Sequence, residues 1–249
     1  MNFTHRISVS IAPIRQEPSD RSEQITQFLF NEPVSLLNKQ KKWSLVRSTL
    51  DGYEGWIDNK QVKESNLEAN SVHYVRSAFT RLSNSTGSIW LPHGCRLDLD
   101  DKGYTSEGYF ADNGDTGPAL APESAGLLKT AELYLNTPYL WGGRSIWGID
   151  CSGLMQQIFR IHNINLPRDA WQQANLGEEI HLIDAARAGD LAFFDNEESK
   201  IVHVGLLAGD GYLIHASGKV RIDKIDHYGI FQIQEKQYSH KLRLIKRLL

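Results

Sequence analysis

Near the middle of the chain the hydrophobic pattern changes period, and this constrains the fold more than any other feature. In the first half the apolar residues come in short runs: ISVSIAPI (7–14), QITQFLF (24–30), PVSLLN (33–38), KWSLVRS (42–48) and YEGWID (53–58). These runs alternate or are rich in β-branched and aromatic residues, which is the pattern of strands. Pro18-Ser19-Asp20, Asn31-Glu32-Pro33 and Asp51-Gly52 supply turn chemistry between them. Five short strands at this spacing predict a small barrel. HYVRSAF, GSIWL, CRLDL and GYTSEGYF, from about Ser71 to Asn113, predict a second small β-unit. After Asp115-Thr116-Gly117-Pro118 the period lengthens. PESAGLLKTAELYLN (122–136) sets Leu127, Leu128, Ala131, Tyr134 and Leu135 at helical spacing, with Ser124 as its N-cap. CSGLMQQIFRIHN predicts a second helix with Leu154, Ile158 and Ile161 on one face. DLAFFD, IVHVGLLAG, GYLIHAS, VRIDKI and KLRLIKRLL then read as strands. Helices first and strands later predict an α+β domain rather than a βαβ sheet.

Composition narrows the function classes. The 249 residues are 41% hydrophobic and 23% charged, enough to bury a core without metal or disulfide staples. With 27 basic against 30 acidic residues the formal net charge is -3, so nothing here calls for nucleic acid or an anionic membrane. No apolar run approaches the ~20 residues of a membrane span. The N-terminal stretch has no continuous apolar region of the secretory kind, so the expected location is the cytoplasm. Only Cys95 and Cys151 are present, which speaks against a structural disulfide.

The chemistry gathers in the second half. Cys151, in Asp150-Cys151-Ser152-Gly153, follows a glycine turn and opens a predicted helix. A thiol attacks only as thiolate, and exposed amides at a helix start favour that anion. Taken alone, Cys151 can equally be a small buried apolar residue. A base must come from elsewhere. His203 and His215 lie in two strand-like runs joined by a turn at Gly209-Asp210-Gly211, so they read as a hairpin that can bring both rings to one face. One imidazole can then deprotonate the thiol while the other orients it. Each histidine also fits a structural role. A metal held by Cys151, His203 and His215 lacks the short ligand pairs of common zinc sites, and no cofactor is expected.

Several stretches resemble the NlpC/P60 peptidase family almost word for word: AELYLNTPYLWGGRSIWGIDCSGL (131–154), LPRDAWQQ (166–173), AGDLAFF (188–194), VHVGLLAG and LIHASG. The resemblance spans about residues 122–249. It implies a papain-like catalytic domain with Cys151 as nucleophile, His203 as base and His215 completing the triad. It also implies site roles for Tyr139 and Trp141, although both residues fit core packing around a turn. PSDRSEQITQFLFNEPVSLL (18–37) and DGYEGWID (51–58) resemble bacterial SH3-type (SH3b) domains. The expected organisation is SH3b domain 1 at 1–65, SH3b domain 2 at 66–120 and the catalytic domain at 121–249.

This combination resembles γ-D-glutamyl-L-diamino-acid endopeptidases that take murein tri- or tetrapeptides with a free N-terminal L-Ala. The likeness implies that Asp150, Glu23 and Tyr53 surround the substrate ammonium and that Ser152 bonds the substrate backbone or a carboxylate. Arg168 meets a substrate carboxylate or forms a structural salt bridge. Glu23 also reads as a turn charge, Tyr53 as barrel packing and Asp150 as a helix cap. Family members often carry serine near Ala170; if that serine contacts substrate, its contact is absent here. The alternatives are a general endopeptidase of intact wall and a non-catalytic SH3b binding protein. Left open are diaminopimelate versus lysine, peptide length, oligomeric state and any role for Cys95.

Overall fold

The protein is described from a computed structural model covering residues 5–65, 71–105, 108–110 and 115–249. The expected limit at 65/66, part of the GYTSEGYF run and Asn113 lie outside the described residues. The chain divides into two compact units. One comprises Met1–Ala119 with Trp141–Ile146, and the other Leu120–Leu140 with Trp147–Leu249.

In the first unit the opening run is broken in two. β1 (His5–Ile7) and β2 (Ile11–Arg15) part at Ser8, whose N–H turns to the Gln61 carbonyl at 2.9 Å. β3 (Gln24–Leu29), β4 (Pro33–Lys39), β5 (Trp43–Ser48), β6 (Glu54–Asp58) and β7 (Val62–Glu64) complete a sheet in the order β3-β2-β6-β5-β4-β1-β7. Strand alternation puts Ile7, Ala12, Ile14, Phe28, Val34, Val46 and Ile57 into one core. Burial of each larger side chain is worth ~1.5–3 kcal/mol.

The second β-segment contains β8 (Ser71–Val75), β9 (Phe79–Asn84), β10 (Gly87–Pro92), β11 (Arg96–Leu99) and β12 (Thr116–Gly117). Its described strands form a β9–β10 hairpin and a β11-β8-β12 sheet. Val75, Leu82, Leu91, Leu97 and Leu99 share one core with Leu29 and Phe30 of the first segment. Cys95 packs in that core, which gives it a structural place, and Cys95 and Cys151 form no disulfide. A buried Arg6–Asp98 ion pair also ties the segments together, with Arg96 on the other Asp98 oxygen at 2.6 Å.

Trp141–Ile146, from the middle of the signature stretch, is held by this first unit. Arg144 is fully buried and bonds Glu32 at 3.0 and 3.2 Å and the Gln27 carbonyl at 2.8 Å. Gly142 has φ +74°, and a Cβ there would stand 2.5 Å from the Gln24 carbonyl oxygen, so only glycine fits. Two-residue strands β13 (Arg144–Ser145) and β14 (Gly148–Ile149) flank Ile146 and Trp147.

The second unit begins with α1 (Ser124–Glu132). Glu123, not Ser124, takes the N-cap position. The helix stops short of the expected Asn136, which has φ +68° and donates its N–H to the Val220 carbonyl at 2.9 Å. α2 (Cys151–Arg160) is buried on all sides rather than on one face. After α3 (Ala170–Gln173) come β15 (Glu178–Ile180), β16 (Leu191–Asp195), β17 (Ile201–Gly209), β18 (Tyr212–Ser217), β19 (Lys219–Ile225), β20 (Gly229–Gln232) and β21 (Gln237–Arg247). Their order is β15-β21-β16-β17-β18-β19-β20, and β20 pairs back onto β21, closing six strands into a barrel. Ala192, Phe194, Leu207, Leu213, Ile225, Ile230 and Ile245 form one of its buried clusters. No helix among the described residues is long and apolar enough to cross a membrane.

Candidate active site

Asp150 fixes the start of α2. Its backbone is extended and its Oδ1 accepts the Gly153 N–H at 2.7 Å, satisfying one of the amides that no helical carbonyl can reach. Arg168 closes on the same carboxylate at 3.1 and 2.5 Å, and donates to Ser152 Oγ at 2.8 Å. This cluster holds Cys151 as the first helical residue, 6% exposed. The thiol sulfur accepts the backbone N–H groups of Val204 and Ser152. Burial and the Asp150 charge push the thiol up to about 12, against these bonds and the pull of Arg168. The expected helix-terminus effect is therefore outweighed by desolvation, and the resting group is a neutral thiol.

The bond to Val204 sets the thiol beside the strand that carries His203. β17 and β18 pair with Gly205 opposite His215, so His203 sits diagonally across from His215 on the same face. Glycine at 205 leaves room for these side chains, since a Cβ there would come within 2.7 Å of the Leu213 Cδ1 and 3.1 Å of the His215 Cβ. The two rings meet with His203 Nε2 2.9 Å from His215 Nδ1, and His215 Nε2 lies 3.1 Å from Asp223 Oδ2. Asp223 is fully buried, yet its carboxyl lies below the usual range. Burial raises it, but bonds from His215, the Ile233 N–H and Arg221 outweigh that. An ionised carboxylate can only accept, so His215 donates from Nε2; the neutral form of His215 then receives at Nδ1, and His203 donates from Nε2. His203 Nδ1 is left as a bare acceptor. Burial, then His215 and His240, keep His203 well below its ordinary 6.5, so it is neutral at physiological pH.

Tyr139 lies close enough to Cys151 and Asp150 for ionisation of either to act on it. Burial and these two groups push its phenol up to about 12, so it keeps its hydroxyl proton. The remaining predicted residues lie in the first unit. Trp141 is 61% exposed and donates its indole N–H to Glu23 Oε1 at 2.6 Å. Tyr53 is half-buried in the turn whose carbonyl takes the Ser48 N–H at 2.9 Å.

Sequence reasoning overlooked two residues. Asp223 sits in VRIDKI, where a strand carboxylate reads as solvent-facing; the signal is Arg221 two residues earlier, on the same strand face. His240, from β21, stacks on His203 with ring centroids 4.2 Å apart, and nothing local in QYSHKLRL marks it.

Residues 136–241 match the model of the NlpC/P60 family, and residues 14–62 match the bacterial dipeptidyl-peptidase SH3 domain. The chain is 35% identical over 216 residues to the γ-D-glutamyl-L-lysine dipeptidyl-peptidase of Bacillus subtilis, covering 77% of this chain and 71% of that one. It is 27% identical over 249 residues to dipeptidyl-peptidase 6 of Lysinibacillus sphaericus, covering 87% and 89%. The crystal structure of an NlpC/P60 family protein from Bacillus cereus shares the fold, with a TM-score of 0.83 at 23% identity over 98% of this chain and 99% of that one. An NlpC/P60 endopeptidase from Photobacterium damselae aligns with a TM-score of 0.73 at 16% identity, covering 98% and 71%. Identity of this degree over most of the Bacillus subtilis enzyme makes the likeness one of descent: the chain belongs to the NlpC/P60 family of cysteine peptidases.

Proposed function

We propose that the protein hydrolyses the γ-D-glutamyl–L-lysine bond, or its diaminopimelate equivalent, in murein tri- or tetrapeptides with a free N-terminal L-Ala. The observation that carries this reading is the hydrogen-bonded series His203–His215–Asp223 beside a thiol at the head of a helix. The Bacillus subtilis relative's name supports the bond type.

Cys151 is the nucleophile and His203 the base. As substrate arrives, the Cys151 proton moves to His203 Nδ1 and the sulfur attacks the γ-carbonyl carbon. The oxyanion meets the Cys151 backbone N–H, one of the helix-start amides that no carbonyl of the helix can reach, and the protonated Tyr139 hydroxyl. The tetrahedral adduct collapses with cleavage of the C–N bond, and His203 gives its proton to the departing amine. His203 then takes a proton from water, which hydrolyses the thioester and returns the thiol. His215 and Asp223 keep Nδ1 of His203 available throughout.

Asp150, Glu23 and Tyr53 are assigned the substrate ammonium, and Ser152 and Trp141 the rest of the dipeptide. A free ammonium needs carboxylates in place of its water. The family likeness supports these roles, as it supports a cytoplasmic recycling enzyme and a second SH3b module at 66–120. The test compares L-Ala-γ-D-Glu-L-Lys with its N-acetylated form by mass spectrometry, with Cys151→Ala as control. Cleavage of the free-amine peptide alone, lost in the variant, is expected. Equal cleavage of both overturns the amine requirement and favours action on intact wall. Cleavage of neither removes the substrate assignment.

A further inference from the structure

We propose that His240 is a positioning residue for the base His203, acting by ring stacking; this rests on the reading of His203 as the base. The bond from His203 Nε2 to His215 fixes one corner of the imidazole but only weakly restrains rotation about Cβ–Cγ. That rotation swings Nδ1, the nitrogen that must face the thiol, through a wider arc than Nε2. Something must hold the plane of the ring. His215 meets it edge-on, at 85° and 5.1 Å between centroids, and so presses on an edge rather than a face. Phe194 is tilted at 47° and 5.7 Å. His240 alone among these lies nearly parallel, at 25° and 4.2 Å. It comes from β21, on the far side of β16, and Phe194 also meets its ring at 6.1 Å.

The stack has the right electrical character. Burial and His215 lower His240 to about 4, so a neutral ring faces His203 at physiological pH and does not oppose the imidazolium formed during attack. Its Nδ1 is engaged by Ser239 Oγ at 2.8 Å, leaving the ring face for His203. His240 also lines an open groove with Tyr228, Tyr238, Ser239 and Lys241. Because it borders this groove rather than filling the barrel core, it can be replaced without leaving a sealed cavity.

The test measures kcat, KM and the rate of Cys151 alkylation by iodoacetamide from pH 6 to 8, in the full-length wild type, His240→Ala and His240→Phe. His240→Ala should lose about tenfold in kcat and in alkylation rate, since small misplacement of a reacting group costs heavily, with KM within about twofold. His240→Phe restores a flat ring and should recover to within about threefold of wild type. Wild-type kcat in His240→Ala overturns the proposal, as does a Phe variant as slow as the Ala variant. Wild type that neither cleaves substrate nor reacts faster at Cys151 than at a free cysteine overturns the base assignment itself, and the proposal with it.

Discussion

Two buried aspartates, each paired with an arginine, serve the second unit, and they do opposite things. At the start of α2, the Asp150 carboxylate takes bonds from the Arg168 guanidinium, the Gly153 amide and the Ser152 hydroxyl. In β19, Asp223 shares its carboxylate between Arg221 at 2.7 Å and the imidazole of His215 at 3.1 Å. The first pair fixes where an atom sits. The second fixes where a proton sits. A buried carboxylate therefore takes its role from the group it orients, not from burial or from the presence of arginine.

The comparison can be broken at each end. The largest effect is expected at the atom that Asp150 holds in place: Cys151→Ala should lower turnover by at least ~10³-fold while the fold persists, read by steady-state kinetics and circular dichroism. Next is Asp223→Asn. An amide can donate to His215 Nε2 and reverse the tautomer series, so kcat should fall by about 10²-fold with the melting temperature little changed. If this variant unfolds but keeps its specific activity, Asp223 is a structural residue. The converse is Asp150→Ala, which strands Arg168 and should cost about 3–5 kcal/mol in urea denaturation. Unchanged stability there would show that the cap and ion pair carry no load.

The smallest effect is graded with pH. His203 and His240 are both lower in the folded chain than in the unfolded chain. Below about 6.5 the unfolded state takes up protons that the folded state refuses, so stability should be flat above that pH and fall as pH decreases toward 4. Asp223 acts in the same direction at lower pH: its contribution is present above its unfolded value near 4 and is lost as pH falls through the folded one. Thermal melts from pH 7.5 to 4.5 should show the decline, and His240→Phe should reduce it. A melting temperature independent of pH in that window contradicts neutral burial of these rings.

Much of the site could be read in the sequence because its parts are local. Cys151 at a helix start, and His203 and His215 across a short turn, need only periodicity and a hairpin. Asp223 and His240 depend on barrel closure. His240 reaches His203 only because β21 pairs with β16, which pairs with β17, and no short-range pattern encodes that. Burial energetics were also illegible: the helix-start rule favours a thiolate at Cys151, but desolvation keeps the thiol protonated. In the first half the strand runs were plain, but the core shared by Leu29 and Phe30 with Leu82 and Leu91 is a tertiary fact. So is the capture of Arg144 by Glu32, since a signature motif gives no sign that a buried carboxylate far upstream will hold its arginine.

The most direct test of the central claim, that Cys151 forms an acyl-enzyme with the help of His203, is rapid acid quench of the enzyme with L-Ala-γ-D-Glu-L-Lys, followed by mass spectrometry of the peptide containing Cys151. The expected result is a transient mass increase equal to the L-Ala-γ-D-Glu acyl group, present in wild type and absent in Cys151→Ala. Continued substrate cleavage by Cys151→Ala, with no adduct at any time in wild type, would contradict it.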